Sequence, residues 1–468
     1  MNNSFFKAST LTVVMVAAFA NYALAADFAL QRLITFSTSD DDTQPTSLIQ
    51  GFDGNFYGTT SGSFGGGGHA TNGLVYKLTP AAELTILASF DPNGPYGCCP
   101  GALIQASDGS LYGATWWRET NYGGIFHLKT NGELSVIFSF NANNGRAARV
   151  LIYGADGNLY GATDYGGPAG SINWGIIFKL TPAGDFTTLF SFSRTNGINP
   201  TSLVRAGDGT LYGTTSDWIG VNAPDTIFKL TSSGEFTILL SSHSSLIRRP
   251  WSPIIGADGN IYALDGGGGD TNSFGAIIKV TPSGTLTILA RFNGTNGWGP
   301  DRVIQGIDGN LYGTTVAGGS DFAGWIPDED GDLKSSGSGT IFKLTPAGEL
   351  TVLVPLQEMP GDDVVSFIQT ADNVFYGART SGNVGEPAAV FRLAPKPEIT
   401  GLQRLEGRDV LRWTAFAGGA YQVEQSAHCA GSSWSPAPSR VTATSNSATA
   451  TNLVANAMEH YYRVRLLP

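Results

Sequence analysis

The chain has 468 residues, 41% of them hydrophobic and only 14% charged, with 62 glycines and 23 prolines. That is enough apolar material for a large core and more than one domain, in a glycine-rich, charge-poor balance that points to turn-rich β structure. A net charge of −11 argues against a nucleic-acid backbone or an anionic membrane as partner.

The first 25 residues read as an export leader. Lys7 precedes an apolar run from Leu11 to Ala20, and Ala23-Leu24-Ala25 offers small residues for a signal peptidase. Cleavage after Ala25 would send the mature chain to the periplasm or out of the cell. The run is too short to cross a bilayer, and no other stretch approaches a membrane span.

Residues 26–394 are organised by one repeated unit. An Asp-Gly (Asp-Asn in the last copy) with a tyrosine four residues on recurs at Asp53/Tyr57, Asp108/Tyr112, Asp156/Tyr160, Asp208/Tyr212, Asp258/Tyr262, Asp308/Tyr312 and Asp372/Tyr376. The spacings are 55, 48, 52, 50, 50 and 64 residues. In the copy near Thr201, strands are predicted over 202–205, 210–215, 226–230 and 235–240. Asp208-Gly209 joins the first pair, glycine supplying the positive φ of a tight turn, and Ser232-Ser233-Gly234 joins the second. Four antiparallel strands in units of roughly 50 residues is the pattern of a β-propeller blade. The fold expected is all-β, a seven-bladed β-propeller. Its seventh unit shows three strands, ending at Leu393, while Phe28 to Phe36 looks like a fourth strand. The N-terminal strand is therefore predicted to complete the last blade and close the ring.

The unit Leu-Tyr-Gly-Thr-Thr, a Gly-rich loop, then Ile-Phe-Lys-Leu-Thr-Pro-x-Gly-Glu-Leu-Thr resembles the GloVer tandem repeat of exported bacterial proteins. The likeness covers residues 28–394. It implies a secreted or surface propeller and brings no catalytic residues. Unlike anchored members, this sequence shows no terminal hydrophobic helix followed by basic residues.

A composition shift at Ala394-Pro395-Lys396-Pro397 opens a second domain over 395–468, read as a small β-sandwich similar to fibronectin type III. Trp413 is expected in its core and Tyr461 or Tyr462 at a tyrosine corner.

The tyrosine, aspartate and lysine (Lys77, Lys179, Lys229, Lys279, Lys343) that recur once per unit read as packing positions. Residues that break the repeat carry more information. The two tight turns of each blade share one end; the loops between strands two and three and the inter-blade links share the other, which is long and varied. Trp116, Trp117, Trp174, Trp218 and Trp325 fall in those loops, and Trp251 and Trp298 in the links. All seven lie at one end, among Arg118, Glu119, Arg146, Arg149, Asp164, Arg194, Asp217, Asp225, Arg248, Arg249, Asp265, Asp270, Asp301 and Asp321, where paired carboxylates could run glycosidic chemistry and arginines could hold an acidic sugar. Such a face suits a glycan or another extracellular polymer. The main reading is a monomeric binding or surface-interaction module. A polysaccharide lyase or glycoside hydrolase using the same face is the alternative, and a structural envelope protein the third reading.

Only His69 and His243 reach the variable end, so neither a three-histidine metal site nor a serine nucleophile elbow is expected. Asp328, Asp330 and Asp332 occupy positions 1, 3 and 5 of a calcium-type loop, but Leu333 stands where its glycine belongs. Calcium is the one cofactor the sequence suggests. Of three cysteines, the adjacent Cys98 and Cys99 could form a vicinal bridge, and Cys429 lies in the second domain.

Overall fold

The computed structural model describes residues 4–8, 13–17, 28–36, 44–61, 73–90, 98–116, 122–141, 144–166, 174–243, 247–266, 274–327, 333–335, 337–357, 363–380, 387–405, 408–416, 419–426, 434–454 and 461–467. Every regular element among them is a strand. No helix is long and apolar enough to cross a membrane. The chain divides into two compact units, one of Ile34–Ile368 with Gly377–Val390, the other of Met1–Leu33, Gln369–Tyr376 and Phe391–Pro468.

In the larger unit, six four-stranded antiparallel sheets follow one another over residues 44–89, 98–139, 146–191, 200–241, 250–291 and 298–355, each with neighbouring strands in chain order. The first strand of each packs on the first strand of the next, which makes the arrangement propeller-like. Second and third strands are buried almost throughout, whereas fourth strands are half-exposed. A further four-stranded sheet runs in the order Phe28–Thr35, Ala389–Pro395, Phe375–Arg379, Val364–Gln369, with the N-terminal strand in the fourth-strand place.

Two features of the repeat explain its motif. The glycine of Leu-Tyr-Gly faces, across the strand pair, the aromatic of Ile-Phe-Lys: Gly113 pairs Phe126, Gly161 pairs Phe178, Gly213 pairs Phe228 and Gly313 pairs Phe342. A Cβ at these glycines would lie 2.2–2.4 Å from a ring atom of that aromatic. The fifth sheet substitutes both members together, Ala263 opposite Ile278. A phenylalanine follows the fourth strand in four of the six sheets and reaches the strand-three aromatic of the next sheet, with centroids 5.0 Å apart for Phe90–Phe126, 5.5 Å for Phe140–Phe178, 5.4 Å for Phe192–Phe228 and 5.2 Å for Phe292–Phe342. Phe36, after the N-terminal strand, does the same to Tyr76 of the first sheet at 5.7 Å. Leu48 N–H of the first sheet donates to Ser366 Oγ at 2.9 Å.

The first strands carry a bulge near the variable end, with register shifts at Pro45/Ser47, Ala148/Val150, Pro200/Ser202 and Pro300/Arg302. In the second to sixth sheets a residue at the start of the bulged stretch takes a left-handed backbone: Cys99 (φ 57°), Ala147 (57°), Asn199 (47°), Arg249 (50°) and Gly299 (61°). This extra length corrects part of the sequence reading. Trp251 and Trp298 sit in the first strands Pro250–Ile255 and Trp298–Gln305, Trp116 ends the second strand Leu111–Trp116, and Trp325 lies in a short strand, Trp325–Pro327. They remain at the variable end.

In the smaller unit, Ile399–Leu405, Arg408–Thr414 and Ser447–Val454 form one sheet. Ser435–Thr442, Ala420–Ser426 and Tyr461–Leu466 form another. Trp413 is fully buried against Tyr421, and the buried Asp409 accepts from both Arg404 and Tyr462 Oη. Within the segment read as a leader, Ser4–Ala8 and Val13–Ala17 pair as a hairpin, and Ser4–Ala8 continues onto Tyr461–Leu466.

Candidate functional site

At the end bearing the tight turns, the recurring residues bind one another. Asp258 Oδ2 accepts from Asn260 (2.7 Å), Tyr262 Oη (2.8 Å) and Lys279 Nζ (2.9 Å), while Lys279 lies across the strand pair from Tyr262. The same knot ties Asp53, Asn55, Tyr57 and Lys77. Partial burial would raise the Asp53 carboxyl, but its donors outweigh that and hold it down at about 2. In the second sheet His127 replaces the lysine and stacks on Tyr112, ring centroids 4.3 Å apart. These residues close their own turns, as packing positions should. A cleft of about 470 Å³ between the third and fourth sheets is a seam lined by members of this set, Asp156, Tyr160, Lys179 and Asp208 among them.

The opposite end is built from repeat-breaking residues. Trp116 lies along Gly101, and the Arg149 guanidinium sits 4.8 Å from its ring centroid. Arg149 Nε donates to Asp164 Oδ2 at 2.5 Å. Asp164 is 2% exposed; burial pushes its carboxyl up, opposed by Arg149, and its Oδ1 has no partner among the described residues. The Asn199 amide, oriented to satisfy both its groups, donates to the Asp164 carbonyl (2.9 Å) and accepts from Trp218 Nε1 (3.2 Å). Trp218 is 52% exposed with its N–H thus secured. One connected strip, Trp116–Arg149–Asp164–Asn199–Trp218, therefore runs over the second, third and fourth sheets. Its parts are an aromatic face, a planar cation, a buried carboxylate and an exposed indole.

A second group of buried charges stands at 301–379. Asp301 is 8% exposed and bonded to Arg302 Nη1 at 2.9 Å; burial pushes its carboxyl up to about 6. Arg379 is 2% exposed and donates to Ser338 O at 3.0 Å. It stands where other sheets place the buried threonines Thr115, Thr215 and Thr315, whose hydroxyls accept from the start of strand three. Asp265 breaks the same column and accepts from Arg248 N–H at 2.7 Å.

The remaining sequence candidates divide. Trp174 is half-buried in the core between the third and fourth sheets and lends its carbonyl to Asn199 N–H (2.9 Å). Trp251 is half-buried, lies over Gly266 and donates from Nε1 to Pro300 O (3.0 Å), so it is an inter-sheet plug. Trp298 is half-buried; Arg248 and Arg249 are exposed. Trp117, Arg118, Glu119, Asp328, Asp330, Asp332, His69 and Cys429 lie outside the described residues, as do the side chains of Trp325 and Cys98. Cys99 is buried. Among the described residues no group of three or more His, Cys, Asp or Glu is placed to hold a metal ion. Asn199, Arg149 as partner of Asp164, and Arg379 were missed as a set; comparing equivalent columns of the repeat would have found them.

Fold and site together define an all-β, tandem-repeat protein of propeller-like build whose repeat is structural at one end and variable at the other. The model of the Gloeobacter/Verrucomicrobia repeat matches residues 20–223 and 200–415, and the chain belongs to that family. No curated protein matches it in sequence. Among solved structures it is similar to PorZ, a bacterial surface component of the type-IX secretion system of Porphyromonas gingivalis (12% identity, 91% of this chain and 59% of that one, TM-score 0.47). It is likewise similar to hydrazine synthase of Kuenenia stuttgartiensis (13%, 73% and 94%, 0.48) and dipeptidyl peptidase 4 of Porphyromonas gingivalis (11%, 80% and 58%, 0.40). No function is transferred from any of them.

Proposed function

We propose that this protein is an exported, monomeric binding module that holds an extracellular glycan on the variable end of a seven-bladed ring. In this reading the leader 1–25 is removed, the N-terminal strand closes the ring, and residues 395–468 form a fibronectin type III-like sandwich. The observation that carries it is the strip Trp116–Arg149–Asp164–Asn199–Trp218. The apolar C–H face of a pyranose stacks on an indole while its rim hydroxyls find donors and acceptors beside it. Trp218 offers the exposed ring, and the Arg149 guanidinium, held in place by the buried Asp164, offers donors beside it. Each good platform contributes roughly 1–2 kcal/mol by analogy with other aromatic contacts, so tight binding needs several points along a polymer. Glycosidic chemistry would require two carboxylates flanking one bond. The two described carboxylates raised by burial at this end, Asp164 and Asp301, belong to the third and sixth sheets, which favours binding over catalysis. A glycan array probed with the mature protein and with Trp218→Ala is the test. Binding that Trp218→Ala weakens at unchanged melting temperature is expected; binding indifferent to it moves the ligand elsewhere.

A further inference from the structure

We infer that the polymer is an acidic glycan, one bearing carboxylate or sulfate groups; this rests on the binding reading above and narrows it. The first strand of the third sheet carries Arg146 and Arg149, and the links into the fourth and fifth sheets carry Arg194, Arg248 and Arg249, on a chain whose net charge is −11. The neighbouring carboxylates are turned inward. Asp217 accepts from Val221 and Ala223 N–H, Asp225 from Asp217 and Arg249 N–H, Asp265 from Arg248 N–H, and Asp164 from Arg149. Asp164 and Asp265 are 2% and 3% exposed. At the entries to these three sheets Arg248 and Arg249 stay exposed, while the four carboxylates beside them are spent on backbone amides and on one guanidinium.

The guanidiniums themselves are arranged for planar anions. Arg146 stacks on Tyr165 with 4.3 Å to the ring centroid, as Arg149 does on Trp116 at 4.8 Å. A guanidinium beside an aromatic face meets a sugar acid's two features at once, since the ring takes the pyranose and the fork takes the carboxylate. Arg248 and Arg249 are exposed, and neither has an ion-pair partner among the described residues. Arg249 holds a left-handed backbone at φ 50°, at the position the next sheet fills with Gly299. Such a backbone is unfavourable for any residue with a Cβ. The recurring bulge sets that backbone, and it leaves the Arg249 side chain exposed beside Arg248 and available to a ligand.

The test is binding of the mature full-length protein to polygalacturonate and alginate against laminarin and dextran, across a sodium chloride series. The Arg248→Ala/Arg249→Ala protein is measured alongside. The acidic polymers should bind, weaken as salt rises, and lose tenfold or more in the double variant, the loss expected of charge-assisted contacts. If the alanine pair lowers the melting temperature, the Arg248→Gln/Arg249→Gln pair decides, with the same loss expected. Neutral glycans bound as well as acidic ones, with the variants unaffected, overturn this inference and leave the glycan reading standing. No binding of any polysaccharide overturns both. Single-stranded DNA bound as tightly as polygalacturonate also overturns it, because the patch would then read only charge.

Discussion

Gly213 offers a sharp test of how the repeat is packed. A Cβ built on it falls 2.4 Å from Phe228 Cζ and 2.6 Å from the Ser202 carbonyl oxygen, inside a core where Phe228 is fully buried. Gly213→Ala should therefore cost about 1–3 kcal/mol through overpacking, even after the gain from a stiffer unfolded chain. Phe228→Ile alone should cost about 1–2 kcal/mol for lost apolar contact. The fifth sheet already carries the joint solution, Ala263 opposite Ile278. Gly213→Ala/Phe228→Ile should accordingly be less destabilised than the sum of the single changes by at least about 1 kcal/mol. Urea unfolding followed by circular dichroism reads all four corners of the cycle. A neutral Gly213→Ala, or additive single effects, would refute the argument that the aromatic dictates the glycine.

Three further outcomes follow from the geometry. Deleting 28–36 should leave the sheet edge at Ala389–Pro395 unpaired and remove Phe36 from Tyr76, causing aggregation or a large fall in melting temperature; an unchanged cooperative melt sinks the closure. Trp251→Ala should lower the melting temperature, since it empties a seam and strands Pro300 O, whereas Trp218→Ala should leave it within a degree or two; the reverse order would exchange their roles. Asp301 has its carboxyl raised to about 6 in the fold against 3.8, so the folded state holds that proton more tightly, and stability is lost as pH rises between those values. The change amounts to about 3 kcal/mol in total, and Asp301→Asn should flatten it; a pH profile identical to that of the parent protein contradicts the assignment.

Much of the fold is legible in the sequence because the repeat is local. Asp-Gly turns, period-two strands and the stray N-terminal strand are all short-range patterns, and the fourth unit's strands lie within a residue or two of the predicted ones. The site is less legible. Arg149 and Asp164 are 15 residues apart and meet only because a bulge in the first strand re-aims Arg149. Trp218 joins them through Asn199, a contact between sheets that no spacing encodes. Trp251 looked like a loop residue because the bulge, which extends its strand, leaves no mark beyond a left-handed Arg249. Aspartate or arginine standing where the buried threonine belongs, as at Asp265 and Arg379, is a signal the sequence does carry.

Hydroxyl-radical footprinting with and without a bound polyuronate tests most directly whether ligand sits on the variable end. Trp218 is 52% exposed there, while Phe52 and Ile307, 76% and 68% exposed, stand beside the Asp53 and Asp308 turns at the other end and serve as internal controls. Ligand should protect Trp218 from oxidation and leave Phe52 and Ile307 unchanged. Protection of Phe52 and Ile307 with Trp218 still reactive would place the ligand on the turn end and contradict the account.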